Sequence, residues 1–217
     1  MIGSVRPVLD RLVILVTDRT ACHKRSLEEV VTAAIQGGVN AVLLREKDLP
    51  GAELLALARR LRGLCSESVL FLVSDRVDVA LLSGADGVHL PEDSLPVAAV
   101  RHLLPPSMKV GRSVHSINAA RQAEADGADY LILGTIYTTA SHPTGVAAGP
   151  ELIEQVVARV GIPVVAIGGI TPENVAECRR AGARGVAAIS VFLQGDPAVA
   201  RQLAEELAAR PWEGTAA

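Results

Sequence analysis

Residues 162–174 read Ile162-Pro163-Val164-Val165-Ala166-Ile167-Gly168-Gly169-Ile170-Thr171-Pro172-Glu173-Asn174. The apolar run at the start is too short for a helix, so it predicts a buried strand. Two glycines then predict a turn. Thr171 and Pro172 predict the start of a helix, because a threonine hydroxyl can cap a helix and proline suits the first helical position. The segment is therefore predicted to be one strand, turn and helix unit of an α/β protein.

The Gly168-Gly169 turn is also a candidate anion site. Glycines let backbone N–H groups approach a ligand closely, and a helix N-terminus attracts negative charge. The next apolar run, Gly185 to Ile189, ends at the hydroxyl of Ser190. Strands 7 and 8 of a (β/α)8 barrel commonly share one phosphate at their C-terminal ends. The alternative is that the two glycines only make a tight turn.

Strand-like and helix-like segments alternate along the rest of the chain and predict eight βα units. The predicted strands are Leu12–Thr17, Ala41–Leu44, Val69–Val73, Gly87–Leu90, Lys109–Ser113, Tyr130–Leu133, residues 162–167 and residues 185–190. They are apolar runs, as expected for parallel strands buried on both faces. The prediction is one α/β domain over residues 1–217, a single (β/α)8 TIM barrel, with about 211–217 as a frayed tail.

Composition narrows the class of protein. The chain has 217 residues, 49% of them hydrophobic, 2% aromatic residues and a net charge of −3. So few aromatic rings and no basic block argue against a nucleic-acid partner. Three widely spaced cysteines favour a reducing, cytoplasmic compartment. No apolar run is long enough to cross a bilayer, so no membrane association is expected, and a homo-oligomer is left open.

Polar side chains follow the predicted strands, where the active site of such a barrel lies. Arg45 and Lys47 alternate on an extended segment, so both can face an anion. His115 is the candidate general base, because imidazole titrates near neutrality. Asp75 with Glu92 or Asp93 could hold Mg²⁺, or these residues could only start helices. Further candidates for binding substrate are Ser113, Thr139, Ser141, His142, Gly168, Gly169 and Ser190.

The motifs, in order, resemble those of the thiamine phosphate synthase/TenI superfamily along nearly the whole chain. The matching segments are Leu15-Val16-Thr17-Asp18, Leu44-Arg45-Glu46-Lys47, residues 74–80, residues 85–90, Ala128-Asp129-Tyr130, residues 165–170 and Gly185-Val186-Ala187. The resemblance implies a (β/α)8 barrel of thiamine biosynthesis that binds a phosphorylated thiazole.

Four departures separate this chain from the synthase branch, which joins an aminopyrimidine diphosphate to a thiazole phosphate with Mg²⁺. Leu43 occupies the position of a glutamine in that branch, Ser74 that of an asparagine, and His142 that of a lysine in the long loop. The family's H-x-G-Q-E-D loop becomes His89 to Asp93, one residue shorter by this alignment. If the chain is nevertheless a synthase, Asp75 and Asp93 are the expected metal ligands.

The segment Gly111-Arg112-Ser113-Val114-His115-Ser116 is similar to the G-R-S-V-H-S stretch of TenI-type thiazole tautomerases. In that branch the histidine is the proposed acid/base, and no metal or other cofactor is needed. The resemblance therefore favours a thiazole tautomerase with His115 as its catalytic residue. Thiamine phosphate synthase is the alternative, and an inactive barrel that binds thiazole phosphates and regulates a partner is the third possibility.

Overall fold

The architecture is a closed barrel of eight parallel strands in the order β1 to β8. The computed structural model describes residues 9–22, 24–139, 147–193 and 197–208. The strands are β1 (Leu12–Val16), β2 (Ala41–Leu44), β3 (Leu70–Ser74), β4 (Gly87–Leu90), β5 (Lys109–Val114), β6 (Tyr130–Leu133), β7 (Val164–Ile167) and β8 (Gly185–Ala188). The predicted single (β/α)8 barrel is confirmed.

Helices follow the strands in the described part of the chain. They are α1 (Leu27–Gln36), α2 (Gly51–Arg62), α3 (Val77–Ser83), α4 (Val97–Arg101), α5 (Ile117–Ala125), α6 (Pro150–Val157), α7 (Val175–Arg180), α8 (Ser190–Leu193) and α9 (Pro197–Ala208). None of these helices has both the length and the apolar character needed to cross a membrane.

Strand β1 closes the barrel by pairing with β8, with Leu12 opposite Gly185 and Leu15 opposite Ala188. A Cβ atom on Gly185 would lie 2.5 Å from the carbonyl oxygen of Leu12. A glycine is therefore needed where the first and last strands meet.

The core has two parts because successive residues of a strand point to opposite faces. One set fills the barrel interior and includes Leu12, Ile14, Leu72, Tyr130 and Val165. The larger set lies between the strands and the helices. Most strands are thus buried on both faces, which is why they read as continuous apolar runs. Strand β5 is the main exception, since Lys109, Arg112 and Ser113 are only partly buried.

Two helix starts differ in how far the local sequence decides them. Ser26 caps α1 as part of a capping box with Glu29, as its sequence pattern predicts. The helix expected to start at Thr171-Pro172 instead begins at Val175. The Asn174 side chain accepts a hydrogen bond from Thr171 N and donates one to Gly169 O, which folds residues 171–174 into a turn. The prediction that Thr171 caps this helix was wrong.

A long loop follows β6, since β6 ends at Leu133 and α6 begins at Pro150. Residues 140–146, which include Ser141 and His142, lie outside the described residues, as does the tail at 211–217.

Candidate active site

A cavity of about 500 Å³ opens at the C-terminal ends of the strands. Most of the predicted site residues line it: Arg45, Lys47, Glu92, Asp93, Ser113, His115, Thr139, Gly168, Gly169 and Ser190. Its apolar wall includes Val16, Leu43, Ile132, Ile167 and Ile170. The structure therefore brings these polar residues, which follow different strands, to one cavity. Asp75 is not among the lining residues.

Arg45 and Lys47 face the cavity because the residue between them is held elsewhere. The Glu46 carboxylate is buried and accepts hydrogen bonds from Arg19 N and Arg19 Nη1, both at 3.1 Å. Arg45 N donates to the Thr17 hydroxyl at 2.9 Å, which anchors the backbone to β1. Since side chains alternate along an extended segment, these contacts leave both cations on the cavity side.

The glycine turn after β7 has the close approach expected of an anion site. Gly168 and Gly169 have φ values of 101° and 63°, a region that favours glycine. A Cβ atom on Gly169 would lie 2.6 Å from Thr138 O. Helix α8 begins at Ser190, two residues after the last residue of β8, and Ser190 lines the same cavity. A short extra helix after strand 8 is the usual partner of the strand 7 loop in binding phosphate.

His115 follows β5 at the rim of the cavity, and its Nδ1 contacts the Glu92 carboxylate. Both side chains are solvent-accessible, with exposed fractions of 59% and 38%. A carboxylate at one ring nitrogen favours a proton there and leaves the other nitrogen to exchange a proton with a ligand. This arrangement suits an acid/base role for His115, and Glu92 was not predicted as its partner.

Arg112 fixes the loop that carries Glu92. Its guanidinium donates to Glu92 O at 2.6 Å and to Leu95 O at 2.8 Å. The arginine of the G-R-S-V-H-S motif therefore joins the end of β5 to the loop after β4.

The structure revises the interpretation of Asp75. Its carboxylate accepts a hydrogen bond from the Ser94 hydroxyl. The sequence had instead suggested Glu92 or Asp93 as the neighbour of Asp75. Counted from His89, Ser94 is the sixth residue, the position of the aspartate in H-x-G-Q-E-D. If the loop is aligned without a deletion, serine stands in place of that aspartate. The expectation that the loop is one residue shorter stays a prediction.

Metal-binding capacity is limited in the described ranges. No group of three or more histidine, cysteine, aspartate or glutamate side chains there is placed so that it could hold a metal ion. Mg²⁺ commonly takes only one or two carboxylates together with substrate phosphates. Asp93, which lines the cavity, could serve in that way.

A buried hydrogen-bonded network at the base of the cavity was not predicted. His89 in β4 is 3% exposed, with Nδ1 3.2 Å from the Tyr130 hydroxyl and Nε2 2.8 Å from Ser113 Oγ. His89 lies within β4, as the apolar run at residues 87–90 predicts, but its contacts with Tyr130 and Ser113 were not predicted. A polar residue in a four-residue apolar strand was the available signal.

Comparisons with known proteins agree with this architecture. A family model described as thiamine monophosphate synthase matches residues 13–192. The thiamine-phosphate synthase of Methanoculleus marisnigri is 43% identical over 204 residues, covering 92% of this chain and 97% of that protein. A putative thiamine-phosphate synthase 2 of Aquifex aeolicus is 42% identical over 180 residues, covering 82% of this chain and 96% of that protein.

Among solved structures, thiamine phosphate pyrophosphorylase from Pyrococcus furiosus superposes with a TM-score of 0.82 at 34% identity, covering 91% of this chain and 96% of that one. A 3-hexulose-6-phosphate synthase superposes with a TM-score of 0.70 at 16% identity, covering 90% of this chain and 99% of that one, and shares the fold alone. The names of the similar sequences support the synthase alternative more than the tautomerase branch that the sequence analysis favoured.

Proposed function

Because the chain belongs to the thiamine monophosphate synthase family, we propose that it joins an aminopyrimidine diphosphate to a thiazole phosphate. The products of this reaction are thiamine phosphate and diphosphate. The relatives that carry the synthase name match over nearly their whole length, which supports this reaction over others catalysed by the same fold.

The observation that carries the proposal is that one cavity is lined by two separate groups of residues whose chemistry suits an anion. Arg45 and Lys47 follow β2, whereas the Gly168-Gly169 turn and the start of α8 follow β7 and β8. The condensation brings together two anionic substrates, a diphosphate and a monophosphate. Two ends of this kind would hold both while their reacting rings meet in the apolar middle.

The protein's own groups would act mainly by binding and orienting the substrates. Arg45 and Lys47 would bind the diphosphate and stabilise the charge that develops on it as the C–O bond breaks and the electron pair leaves with the diphosphate. The glycine turn and Ser190 would hold the thiazole phosphate so that the ring nitrogen faces the methylene carbon. The nitrogen lone pair then forms the new C–N bond.

Mg²⁺ would add charge neutralisation at the leaving diphosphate. Of the two described carboxylates in the cavity, Glu92 contacts His115, which leaves Asp93 to bind the ion. Asp75 would be available only if the ion replaces the hydrogen bond from Ser94. This donor set fits an ion held largely by substrate oxygens and water.

A second candidate function, thiazole tautomerase, is favoured by the contact between His115 and Glu92. Aromatising an exocyclic dihydrothiazole carboxylate phosphate requires removing a proton at one atom and delivering one at another. His115 would carry that proton, with Glu92 orienting its ring. The serine at position 94 also supports this candidate, because the tautomerisation has no leaving group that needs a metal.

One purified preparation distinguishes the candidates. It is assayed with the aminopyrimidine diphosphate, the thiazole phosphate and Mg²⁺, and separately with the dihydrothiazole carboxylate phosphate in EDTA. Formation of thiamine phosphate in the first assay is the expected result. Turnover only in the second assay would replace the synthase proposal with the tautomerase. No turnover in either would favour a non-catalytic binding protein.

His115→Ala provides a further distinction between the two reactions. If the chain is a tautomerase, this change should lower turnover about 10²–10⁴-fold, the usual contribution of a positioned acid/base, while product binding persists. If it is a synthase, whose bond changes need no proton from His115, the loss should be much smaller. Tautomerase turnover within about threefold of wild type would show that the base lies elsewhere.

A further inference from the structure

Three side chains from neighbouring strands form a chain of hydrogen bonds that ends in the cavity. Tyr130 lies at the start of β6, His89 in β4 and Ser113 in β5. The tyrosine is fully buried and the histidine is 3% exposed, whereas Ser113 and His89 both line the cavity. The imidazole therefore connects a hydroxyl in the barrel interior to a hydroxyl that can touch a ligand.

Gly111 makes room for this connection. A Cβ atom at Gly111 would lie 2.5 Å from His89 Nδ1 and 2.5 Å from the Tyr130 hydroxyl. The two rings are tilted by 31° with centroids 5.6 Å apart, in the space left by the missing side chain. The glycine and the serine of the G-R-S-V-H-S motif thus contribute to the same network.

The number of protons decides the direction of the hydrogen bonds. A neutral imidazole has one donor and one acceptor nitrogen, and a phenol has one proton to donate. In the described part of the chain, the hydrogen bond of the Tyr130 hydroxyl is made to His89 Nδ1. If Nδ1 carried the ring proton, the buried phenol would have no acceptor there, at a cost of about 1–3 kcal/mol. Tyr130 therefore donates to Nδ1, and the ring proton is on Nε2.

We infer that Tyr130 and His89 hold the Ser113 hydroxyl as a hydrogen-bond donor toward the substrate. Nε2–H donates to Ser113 Oγ across 2.8 Å, so the serine proton is turned away from the imidazole and toward the cavity. Ser113 would then favour a substrate atom with a lone pair, such as a ring nitrogen or an anionic oxygen. Tyr130 and His89 are positioning residues, and Ser113 is the residue that contacts the ligand.

Burial keeps the network uncharged. The pKa of His89 is lowered to about 3, chiefly by burial and further by the positive charge of Arg112. Burial also raises the pKa of the Tyr130 hydroxyl well above its usual value. The direction of donation should consequently stay the same throughout the neutral pH range.

The direction of hydrogen-bond donation through His89 is measured without any ligand, by nitrogen NMR of protein labelled with ¹⁵N-histidine. The signals of the His89 ring are those that disappear in His89→Gln. The expected result is a neutral His89 ring protonated at Nε2. Tyr130→Phe should weaken that preference, whereas Tyr137→Phe should not, because the Tyr137 hydroxyl donates to Glu177 Oε2 at 2.9 Å. A wild-type ring protonated at Nδ1 would overturn the inference.

The role of Ser113 is measured by a double-mutant cycle with the thiazole phosphate as probe, and only this arm rests on the proposed function. Ser113→Ala should raise the Kd about tenfold and Tyr130→Phe about threefold, since each removes one step of the same hydrogen-bonded chain. In the Ser113→Ala background, Tyr130→Phe should add nothing. Fully additive effects would contradict the inference, because they would show that Tyr130 acts through the fold in general.

If wild-type protein does not bind the thiazole phosphate, the proposed function fails, and the NMR result alone decides the direction of the network. Tyr137→Phe is the matched control in the binding arm too, since it removes the only other tyrosine hydroxyl of the chain. It should leave the Kd unchanged.

Discussion

At the scale of single residues, the glycine turn after β7 is where the phosphate prediction is tested. Gly169 has a φ of 63°, and a side chain there would meet Thr138 O. Gly169→Val should therefore displace the turn and raise the Kd for the thiazole phosphate by at least about tenfold, or ~1.4 kcal/mol. Isothermal titration calorimetry measures the change.

Gly84→Val is the control for backbone strain in that experiment. Gly84 has a similar φ of 69°, but an added Cβ there would have no atom within 4 Å. It caps the C-terminus of α3 and does not line the cavity. Gly84→Val should therefore lower stability without changing the Kd for the thiazole phosphate. If Gly169→Val folds and binds as tightly as wild type, the phosphate lies elsewhere.

His89 predicts a pH dependence of stability. Its pKa is lowered from 6.5 to about 3 in the folded protein, so between these values the unfolded chain binds a proton that the folded chain does not. The free energy of unfolding should therefore fall as the pH drops below about 6.5 and continue to fall until about pH 3.

Urea unfolding at a series of pH values measures this slope. His89→Gln should reduce the slope below pH 6.5, because the buried imidazole is gone. His102→Gln, at an exposed position after α4, should leave the slope as it is in wild type. Equal slopes for wild type and His89→Gln would show that His89 is not the group responsible.

At the scale of elements, the loop after β4 depends on β5 for its position. Arg112 donates to two carbonyl groups of that loop, which carries Glu92 and Asp93 into the cavity. Lysine cannot make this planar two-branched contact. Arg112→Lys should therefore loosen the loop, raise the KM several-fold and increase hydrogen exchange at residues 92–95, with little change in overall stability.

Arg101→Lys is the matched control, because Arg101 makes a comparable contact away from the cavity. It donates to Met108 O and Gly127 O, each at 2.9 Å, and to Asp129 at 2.5 Å, just before β5 and β6 begin. Residues at the N-terminal end of a barrel serve stability. This change should lower the melting temperature and leave the KM unchanged. If Arg101→Lys raised the KM and Arg112→Lys lowered only the melting temperature, both roles would be contradicted.

At the scale of the whole molecule, the barrel depends on the contact between its first and last strands. Gly185→Ala would place a Cβ atom 2.5 Å from Leu12 O, where both strands are held by their neighbours. Overpacking of this kind costs about 1–3 kcal/mol. Gly161→Ala is the control, since its Cβ would meet only Glu124 Oε1, at 3.4 Å. Chemical denaturation should show a lower free energy of unfolding for Gly185→Ala and an unchanged one for Gly161→Ala.

The barrel and the position of its site follow from information local in the sequence. Apolar runs four to six residues long alternate with amphipathic segments, so the strand and helix order can be read directly from the printed chain. Residues after strands share one end of a parallel barrel, which is enough to predict that Arg45, Lys47, His115 and the glycine turn meet. The Ser26 capping box is equally local, since it spans four residues.

The partners of the site residues were decided only by tertiary structure. Ser94 contacts Asp75 across 19 residues, His115 contacts Glu92 across 23, and Tyr130 contacts His89 across 41. These pairs depend on the register of neighbouring strands, such as His89 opposite Gly111 and Gly111 opposite Tyr130. That register is set by closing the whole barrel and packing its interior, so no single segment contains it.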